Sequence, residues 1–263
     1  MRLLASAVVA TVLVLPGVLA GQVPAETKAS SKVWLGRHAE FEAFLRDAVI
    51  DRIEAIKEGV TRPRRAYFQP GGPAGRAILK AIEPGYHEGW FDSYKSEIAA
   101  YQMDRLLGLD MVPPTVERRV ESNRVSAQLW VEGCVRLKDK PDQSSPDVIA
   151  WNRQVYRQRV FDNLIANLDR NSGNILIDPL WNVILIDHSR AFDGRSGKVP
   201  FALTRIDREM FARLKALDKA VLAERVRPWL EFDAGFILNR RDQIVRTFEK
   251  LIKDKGEAAV LID

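Results

Sequence analysis

The chain has 263 residues, of which 46% are hydrophobic and 29% are charged, and its formal net charge is +5. This length and composition suit one large domain or two small lobes with a real core. The 40 Lys and Arg residues nearly match the 35 Asp and Glu residues, so we expect an ordinary solvated surface with one local anion site and no nucleic-acid partner. The single cysteine, Cys134, excludes a fold held by internal disulfides, and a buried structural role explains it better than a nucleophile does.

The first segment is typical of a secretory signal peptide. Arg2 supplies a positive charge, residues 3–15 are almost wholly apolar, and residues 18–20 offer small side chains to a signal peptidase. We therefore expect a signal peptide at 1–20, a linker at 21–37, and export to a periplasm or to the extracellular space. An uncleaved membrane anchor is the alternative, although the apolar run is short for the roughly 20 residues that span a bilayer.

The first half of the chain then combines helical spacing with short strand-like runs bounded by Gly- and Pro-rich turns. The predicted elements, in chain order, are a helix at 38–50, strands at 53–57, 65–69 and 77–82, a helix at 91–107, and strands at 115–120 and 124–131. The run 53–57 also fits a continuation of the first helix. Together these elements predict a small antiparallel sheet.

The second half is mainly helical. Its predicted elements are a helix at 147–167, short strands at 175–177 and 183–186, and helices from about 206 to the end. Strands followed by helices are typical of an α+β, two-lobe architecture. We therefore predict an antiparallel-sheet N-lobe at 38–137 and a mainly helical C-lobe at 138–263.

The stretch from Leu168 to Asp187 carries the strongest chemical signal. Asp169 and Asn174 stand five residues apart on a loop after a helix, and Asp187 ends an apolar strand 13 residues later. Phosphoryl transfer uses such a set, with an acid near the incoming hydroxyl and oxygen ligands for metal ions on the phosphates. We predict Asp169 as the base, Asn174 and Asp187 as ligands of Mg²⁺ or Mn²⁺, and Gly173 as the point where the backbone approaches a cofactor closely.

The same stretch also fits three less specific roles, which stay open. A calcium loop of the EF-hand type is one, but its glycine falls at the fifth position and its twelfth position is Leu180 rather than Glu. Plain hairpin turns are the second; they account for the turn at 178–182 but not for an acid at the end of an apolar strand. The third is a structural ion pair of Asp187 with Arg170 or Arg190.

The first half supplies expected counterparts for this loop. Lys80 interrupts an apolar strand, which is a costly place for an ammonium group without a partner. Glu97 follows 17 residues later on the core-facing side of a predicted helix. A Lys80–Glu97 pair would aim the lysine at nucleotide phosphates. The alternative is a lysine that extends into solvent beside a solvated glutamate.

Two turns could cover the phosphates of a nucleotide. The turn with Gly59, Thr61 and Arg62 offers backbone amides and a cation, and we favour it over the glycine-rich turn at 70–75, which fits a simple hairpin. An ordinary P-loop is excluded because no G-x-x-x-x-G-K-[ST] element is present.

The end of the strand at 124–131 is where a segment joining the two lobes would contact an adenine base. Trp130 and Val131 are therefore predicted to bind the nucleotide. A simple edge strand fits the same residues.

These motifs resemble an atypical protein-kinase-like superfamily, in particular its phosphoinositide 3/4-kinase-like group, which is related to the HipA-type kinases and to the secretory-pathway kinases of the Golgi. The segments that carry the resemblance are 169–174, 186–192, 59–65 with Lys80 and Glu97, and 107–114. The similarity covers roughly residues 40–195.

The resemblance implies a bilobal kinase fold, ATP, a divalent metal, and transfer of the γ-phosphate to a hydroxyl group, with protein Ser or Thr favoured over a lipid. The sequence departs from the pattern at Asn171, near which many relatives have His, and after Asp187, where His-Ser replaces Phe-Gly. A non-catalytic pseudokinase that binds nucleotide or a protein partner is therefore the alternative. No oligomerisation signature is present, and we expect a monomer.

Overall fold

The structure is a computed structural model that describes residues 29–56, 62–140, 144–194 and 201–262. The signal peptide expected at 1–20 lies outside these ranges, so cleavage and export stay predictions. No helix in the described ranges is both long enough and apolar enough to cross a bilayer.

The first lobe is built on a five-stranded antiparallel sheet. Its elements are α1 (His38–Asp47), β1 (Ile50–Ala55), β2 (Arg64–Phe68), β3 (Arg76–Lys80), β4 (Gly85–His87), β5 (Trp90–Asp92), α2 (Tyr94–Leu107), β6 (Thr115–Val120) and β7 (Asn123–Leu129). The strand order is β1-β2-β3-β7-β6, and β4 and β5 form a separate hairpin. Side chains alternate across this sheet: Ala66, Phe68, Ala77 and Leu79 are buried in one core with α1, which leaves the other face for the cleft between the lobes.

The structure corrects two boundaries in this lobe. Residues 50–55 are a strand rather than a continuation of α1, because Ala48 leaves the helical conformation at ψ 142°. Helix α2 begins at Tyr94 rather than at Phe91. Ser93 is in extended conformation and its side chain accepts a hydrogen bond from the amide of Lys95, so it caps the helix. Phe91 belongs to the hairpin that precedes this cap.

The second lobe is mainly helical, as predicted. Its elements are β8 (Val135–Arg136), α3 (Val148–Leu164), β9 (Ile175–Ile177), β10 (Val183–Leu185), β11 (Ile206–Asp207), α4 (Arg208–Ala216), α5 (Lys219–Arg225), α6 (Gly235–Lys255), α7 (Glu257–Val260) and β12 (Leu261–Ile262). Strand β8 pairs with β9, so the chain already joins the second lobe just before the predicted boundary at 137–138. Buried residues of α2, among them Tyr101 and Met103, share a core with α3, α4 and α6.

The last part of the predicted linker connects the two lobes. The Ser30 hydroxyl and the Ser31 amide both donate to Asp178 Oδ2 at 3.0 Å, and Asp178 lies in the turn between β9 and β10. Three residues after Ser31, the Trp34 side chain is fully buried in the core of the first lobe. Residues 30–34 therefore tie the β9–β10 turn to the first lobe.

Helix α2 carries a buried carboxylate, Asp104, that makes folding sensitive to pH. Its side chain is fully buried, and Oδ1 accepts the amides of Met111 at 2.9 Å and Val112 at 3.2 Å. Oδ2 has no hydrogen-bond partner within the described ranges. Burial raises the pKa of Asp104 from 3.8 to about 7, despite the hydrogen bond from the Met111 amide and the charge of Lys32.

We expect Asp104→Asn to flatten the pH dependence of stability. Because the folded pKa lies above the unfolded one, protonated Asp104 contributes stability that is complete below pH 3.8 and is lost as the pH rises through about 7. At pH 8 the variant should unfold with a free energy about 2–4 kcal/mol larger than that of the wild type. Urea unfolding at pH 5 and pH 8 measures this, with the exposed Asp51→Asn as control. Equal pH slopes for wild type and Asp104→Asn would contradict the prediction.

Candidate active site

A buried lysine at the end of β3 joins two carboxylates from distant parts of the chain. Lys80 Nζ lies 2.5 Å from Glu97 Oε1 in the first turn of α2 and 2.5 Å from Asp187 Oδ1, just after β10. The side chains of Lys80 and Glu97 are 9% and 2% exposed, while that of Asp187 is 35% exposed. The structure thus brings together three of the predicted residues, and the alternative of a lysine extending into solvent is wrong.

The ion triad of Lys80, Glu97 and Asp187 favours the charged forms of Lys80 and Glu97. Burial by itself would lower the pKa of Lys80, but the carboxylates of Asp187 and Glu97 outweigh it and raise that pKa above its usual value. Burial would likewise raise the pKa of Glu97, but the charge of Lys80 and the nearby His188 side chain hold it below its usual range. The amide of His188 donates to Glu97 Oε2 at 3.0 Å. The backbone of His188 therefore helps to hold the Lys80–Glu97 pair, which joins β3 to α2.

The alternative of a structural ion pair between Asp187 and Arg170 or Arg190 is wrong, because each of these arginines has other partners. Those of Arg190 are Asp92 and Asp169. Arg170, 3% exposed, lies 3.1 Å from Asp162 on α3. Its Nη1 also donates to the carbonyls of Asn174 and Ile186, both at 2.7 Å. Arg170 therefore ties the end of α3 to the loop at 169–174 and to the segment after β10.

The loop from Asp169 to Asn174 is organised by side chains that fold back on its own backbone. The side chains of Asn171 and Asn174 donate to the Asp169 carbonyl at 3.0 and 3.3 Å. Asn171 Oδ1 accepts the amide of Gly173 at 2.9 Å, and a Cβ at Gly173 would lie 3.0 Å from this oxygen. The close approach explains the glycine. In the ranges that the structure describes, no group of three or more His, Cys, Asp or Glu residues could hold a metal ion.

The Asp169 carboxylate is partly exposed, at 37%. Its Oδ2 accepts from Arg190 Nη1 at 3.3 Å, while Arg190 Nε donates to Asp92 Oδ1 at 3.1 Å. Burial raises the pKa of Asp169, and the nearby Asp187 adds to this while Arg190 opposes it. Arg190 and Asp92 thus connect the predicted base to the β4–β5 hairpin. The sequence does not reveal this contact, because nothing in local spacing indicates a pair 98 residues apart.

A cleft of about 1080 Å³ lies between the lobes and is lined by Lys80, Asp187 and Asn174. Its lining includes Ile56 and Pro63, which flank residues 57–61, and includes none of residues 70–75. Gly59 and Thr61 lie outside the described residues, so their roles stay predictions. Arg62 is exposed, with a left-handed φ of 47°, and is not among the residues that line the cleft.

The segment after β7 borders the same cleft. Strand β7 ends at Leu129, and both Trp130 and Val131 line the cleft beyond it. The Trp130 amide donates to the Arg76 carbonyl at 3.2 Å, whereas the backbone of Val131 has no hydrogen bond within the described ranges. Val131 therefore offers an unpaired amide and carbonyl beside the cleft. The edge-strand alternative is wrong, because β7 lies between β3 and β6 in the sheet. Burial raises the pKa of the neighbouring Cys134 thiol, which favours its unreactive form.

Comparisons with known proteins bear on the fold. No protein-family model matches the sequence, and no curated protein matches it at a significant level. Among solved structures, the Golgi casein kinase superposes with a TM-score of 0.63 at 15% identity, over 86% of this chain and 78% of that chain. A structure of the Golgi casein kinase with Mn and ADP bound gives 0.61 at 16% identity, over 86% and 78%. Hydra Fam20 with sugar gives 0.59 at 16% identity, over 84% and 90%. The chain therefore has an α+β, bilobal protein-kinase-like fold.

Proposed function

We propose that this protein is a phosphotransferase that uses ATP and Mg²⁺ or Mn²⁺ to phosphorylate a hydroxyl group. The observation that carries the proposal is the ion triad of Lys80, Glu97 and Asp187 at the wall of the interlobe cleft. A buried lysine held between two carboxylates is costly to maintain without a use for the ammonium group. The kinase structures with a similar fold, one with Mn and ADP bound, support the same function.

The residues present fit a metal that is shared with a nucleotide. Mg²⁺ typically takes one or two carboxylates from the protein and completes its shell with phosphate oxygens and water. Asn174 and Asp187 supply two oxygen donors at the cleft, and Asp187 is the most exposed member of the triad. Bound metal would neutralise charge on the phosphates. Lys80 would then orient the α- and β-phosphates, with Glu97 holding its side chain in place.

In the proposed reaction, the acceptor hydroxyl oxygen forms a bond to the γ-phosphorus. The bond from that phosphorus to the β–γ bridging oxygen breaks, and ADP leaves. Asp169 receives the hydroxyl proton. Its raised pKa strengthens the carboxylate as a base, and its partly exposed position leaves access for an acceptor.

We propose a protein Ser or Thr hydroxyl as the acceptor, ahead of a lipid. We also propose that the enzyme is exported, because the pattern at 1–20 is typical of a signal peptide. Placement in the phosphoinositide 3/4-kinase-like group rests on the motifs at 169–174 and 186–192. For the nucleotide-covering turn we propose Gly59 and Thr61, because Ile56 and Pro63 line the cleft on either side of them. Arg62, which does not line the cleft, is proposed only as a nearby cation of that turn.

Thermal unfolding with and without Mg-ATP tests this function. Ligand at 100 times its dissociation constant should stabilise the wild type by about 2.7 kcal/mol. Asp187→Asn keeps the side-chain shape but removes the metal-binding charge, and we expect it to lose most of the shift. Asp139→Asn is the matched control, since Asp139 lines the same cleft but pairs with Arg136, and it should respond as the wild type does. No shift with Mg-ATP or Mn-ADP in any variant would contradict the proposal.

The proposed enzyme and a pseudokinase would both show the thermal shift with Mg-ATP, but only the enzyme would transfer the γ-phosphate. Incubation with γ-labelled ATP and a library of Ser- and Thr-containing peptides measures transfer. Label in a peptide, or in the protein itself, supports the enzyme. Nucleotide binding with no transfer to peptides, protein or water would favour the pseudokinase.

A further inference from the structure

The first lobe contributes an arginine to the cleft at a position where a bound nucleotide would carry no charge to neutralise. Arg65 lines the cleft from β2, and its guanidinium carbon lies 4.1 Å from the centre of the Trp130 ring. Its Nη1 donates to the Tyr67 hydroxyl at 3.3 Å. Its Nε is buried without a hydrogen-bond partner, and no carboxylate in the described part of the chain forms a salt bridge with it.

Strand pairing locates this guanidinium relative to Lys80. Arg65 lies opposite Ile78 in the β2–β3 pair, and Ile78 precedes Lys80 by two residues, or about 6.6 Å along the strand. At the other end of β3, the Arg76 carbonyl accepts the Trp130 amide. From Lys80 toward Trp130, the cleft therefore passes under Ile78 and Arg65. A nucleotide with its phosphates at Lys80 would place its base there.

We propose that Arg65 stacks its guanidinium plane on the purine base of the bound nucleotide, with Trp130 behind it. This inference rests on the proposed function. A guanidinium is planar and weakly hydrated, and it stacks well on aromatic faces. Trp130 already holds the guanidinium plane of Arg65 in place, which reduces the side-chain entropy that Arg65 loses when a nucleotide binds. Leu176 and Ile186 line the cleft too, and they supply apolar surface from the second lobe.

Arg76 offers a matched control for this role. Its guanidinium also lies over the Trp130 ring, at 4.8 Å, but it forms an ion pair with Glu132 and does not line the cleft. Changes at Arg76 therefore disturb the same ring without touching a ligand.

The experiment compares Mg-ADP with Mg-tripolyphosphate, which lacks a base, by calorimetry on the full chain. Arg65→Met keeps the apolar stem on Trp130, so it should fold, and Arg65→Lys keeps the charge without the plane. We expect both to weaken Mg-ADP binding about tenfold, a loss that lies between those of an exposed and a desolvated cation–π contact. Tripolyphosphate binding should stay within about twofold, and Arg76→Met should bind both ligands like the wild type.

Two results would overturn the inference and leave the proposed function intact. Equal weakening of ADP and tripolyphosphate would make Arg65 a phosphate ligand, and unchanged ADP binding would leave it only a packing partner of Trp130. Absence of Mg-ADP binding to the wild type would instead overturn the proposed function, and this inference with it.

Discussion

Replacement of Asp169 by Asn is expected to abolish phosphoryl transfer while nucleotide binding is kept. Asn has the same shape and can still accept the hydrogen bond that Arg190 donates at 3.3 Å, but it cannot take up a proton from the acceptor. General-base catalysis typically contributes about 10²–10⁴-fold to a rate, and we expect a loss in this range. The release of labelled phosphate from γ-labelled ATP, to acceptor or to water, measures the rate.

The same variant also tests whether Asp169 contributes to nucleotide binding. Because Lys80 and Asp187 are unchanged, the thermal shift with Mg-ATP should match that of the wild type. Asp139→Asn again serves as the control for loss of a cleft carboxylate. Transfer at the wild-type rate in Asp169→Asn would remove Asp169 from the mechanism. Loss of both transfer and binding would show instead that the substitution disturbs the loop.

Replacement of Lys80 by Met is expected to remove nucleotide binding and to destabilise the fold. The variant leaves Glu97, whose side chain is 2% exposed, without its cation. Removal of one partner of a buried ion pair typically costs about 3–5 kcal/mol. Urea unfolding at pH 7 measures this loss. The double variant Lys80→Met/Glu97→Gln removes the uncompensated charge and should recover part of it.

The pH dependence of Lys80→Met should run opposite to that of the wild type. In the wild type the pKa of Glu97 lies below its ordinary 4.5, so the pair contributes stability that is present above about pH 4.5 and is lost as the pH falls below it. In Lys80→Met, burial without the lysine favours the protonated carboxyl, and stability at this site should fall as the pH rises above 4.5. If the double variant is no more stable than Lys80→Met at pH 7, the uncompensated charge of Glu97 is not the cause of the lost stability.

The sequence by itself determined the α+β class, the order of strands before helices, and three of the polar residues that line the cleft, Lys80, Asn174 and Asp187. These features are readable because they are local. Hydrophobic spacing follows from the geometry of a helix or strand, and Asp169 and Asn174 lie within one loop. Lys80 stands out because an ammonium group in an apolar strand needs a partner, and Glu97 lies on the next long helix.

Only the tertiary structure decided which charges meet. Asp187 had two candidate cations in the sequence, Arg170 and Arg190, and it pairs instead with Lys80, which is 107 residues away. Arg170 turns instead to Asp162, and Arg190 turns to Asp92 and Asp169. The strength of an ion pair depends on distance and burial in three dimensions, and neither is encoded in spacing along the chain. Two further contacts could not be predicted for the same reason. They are the packing of Trp130 against Arg65 and the attachment of residues 30–34 to both lobes.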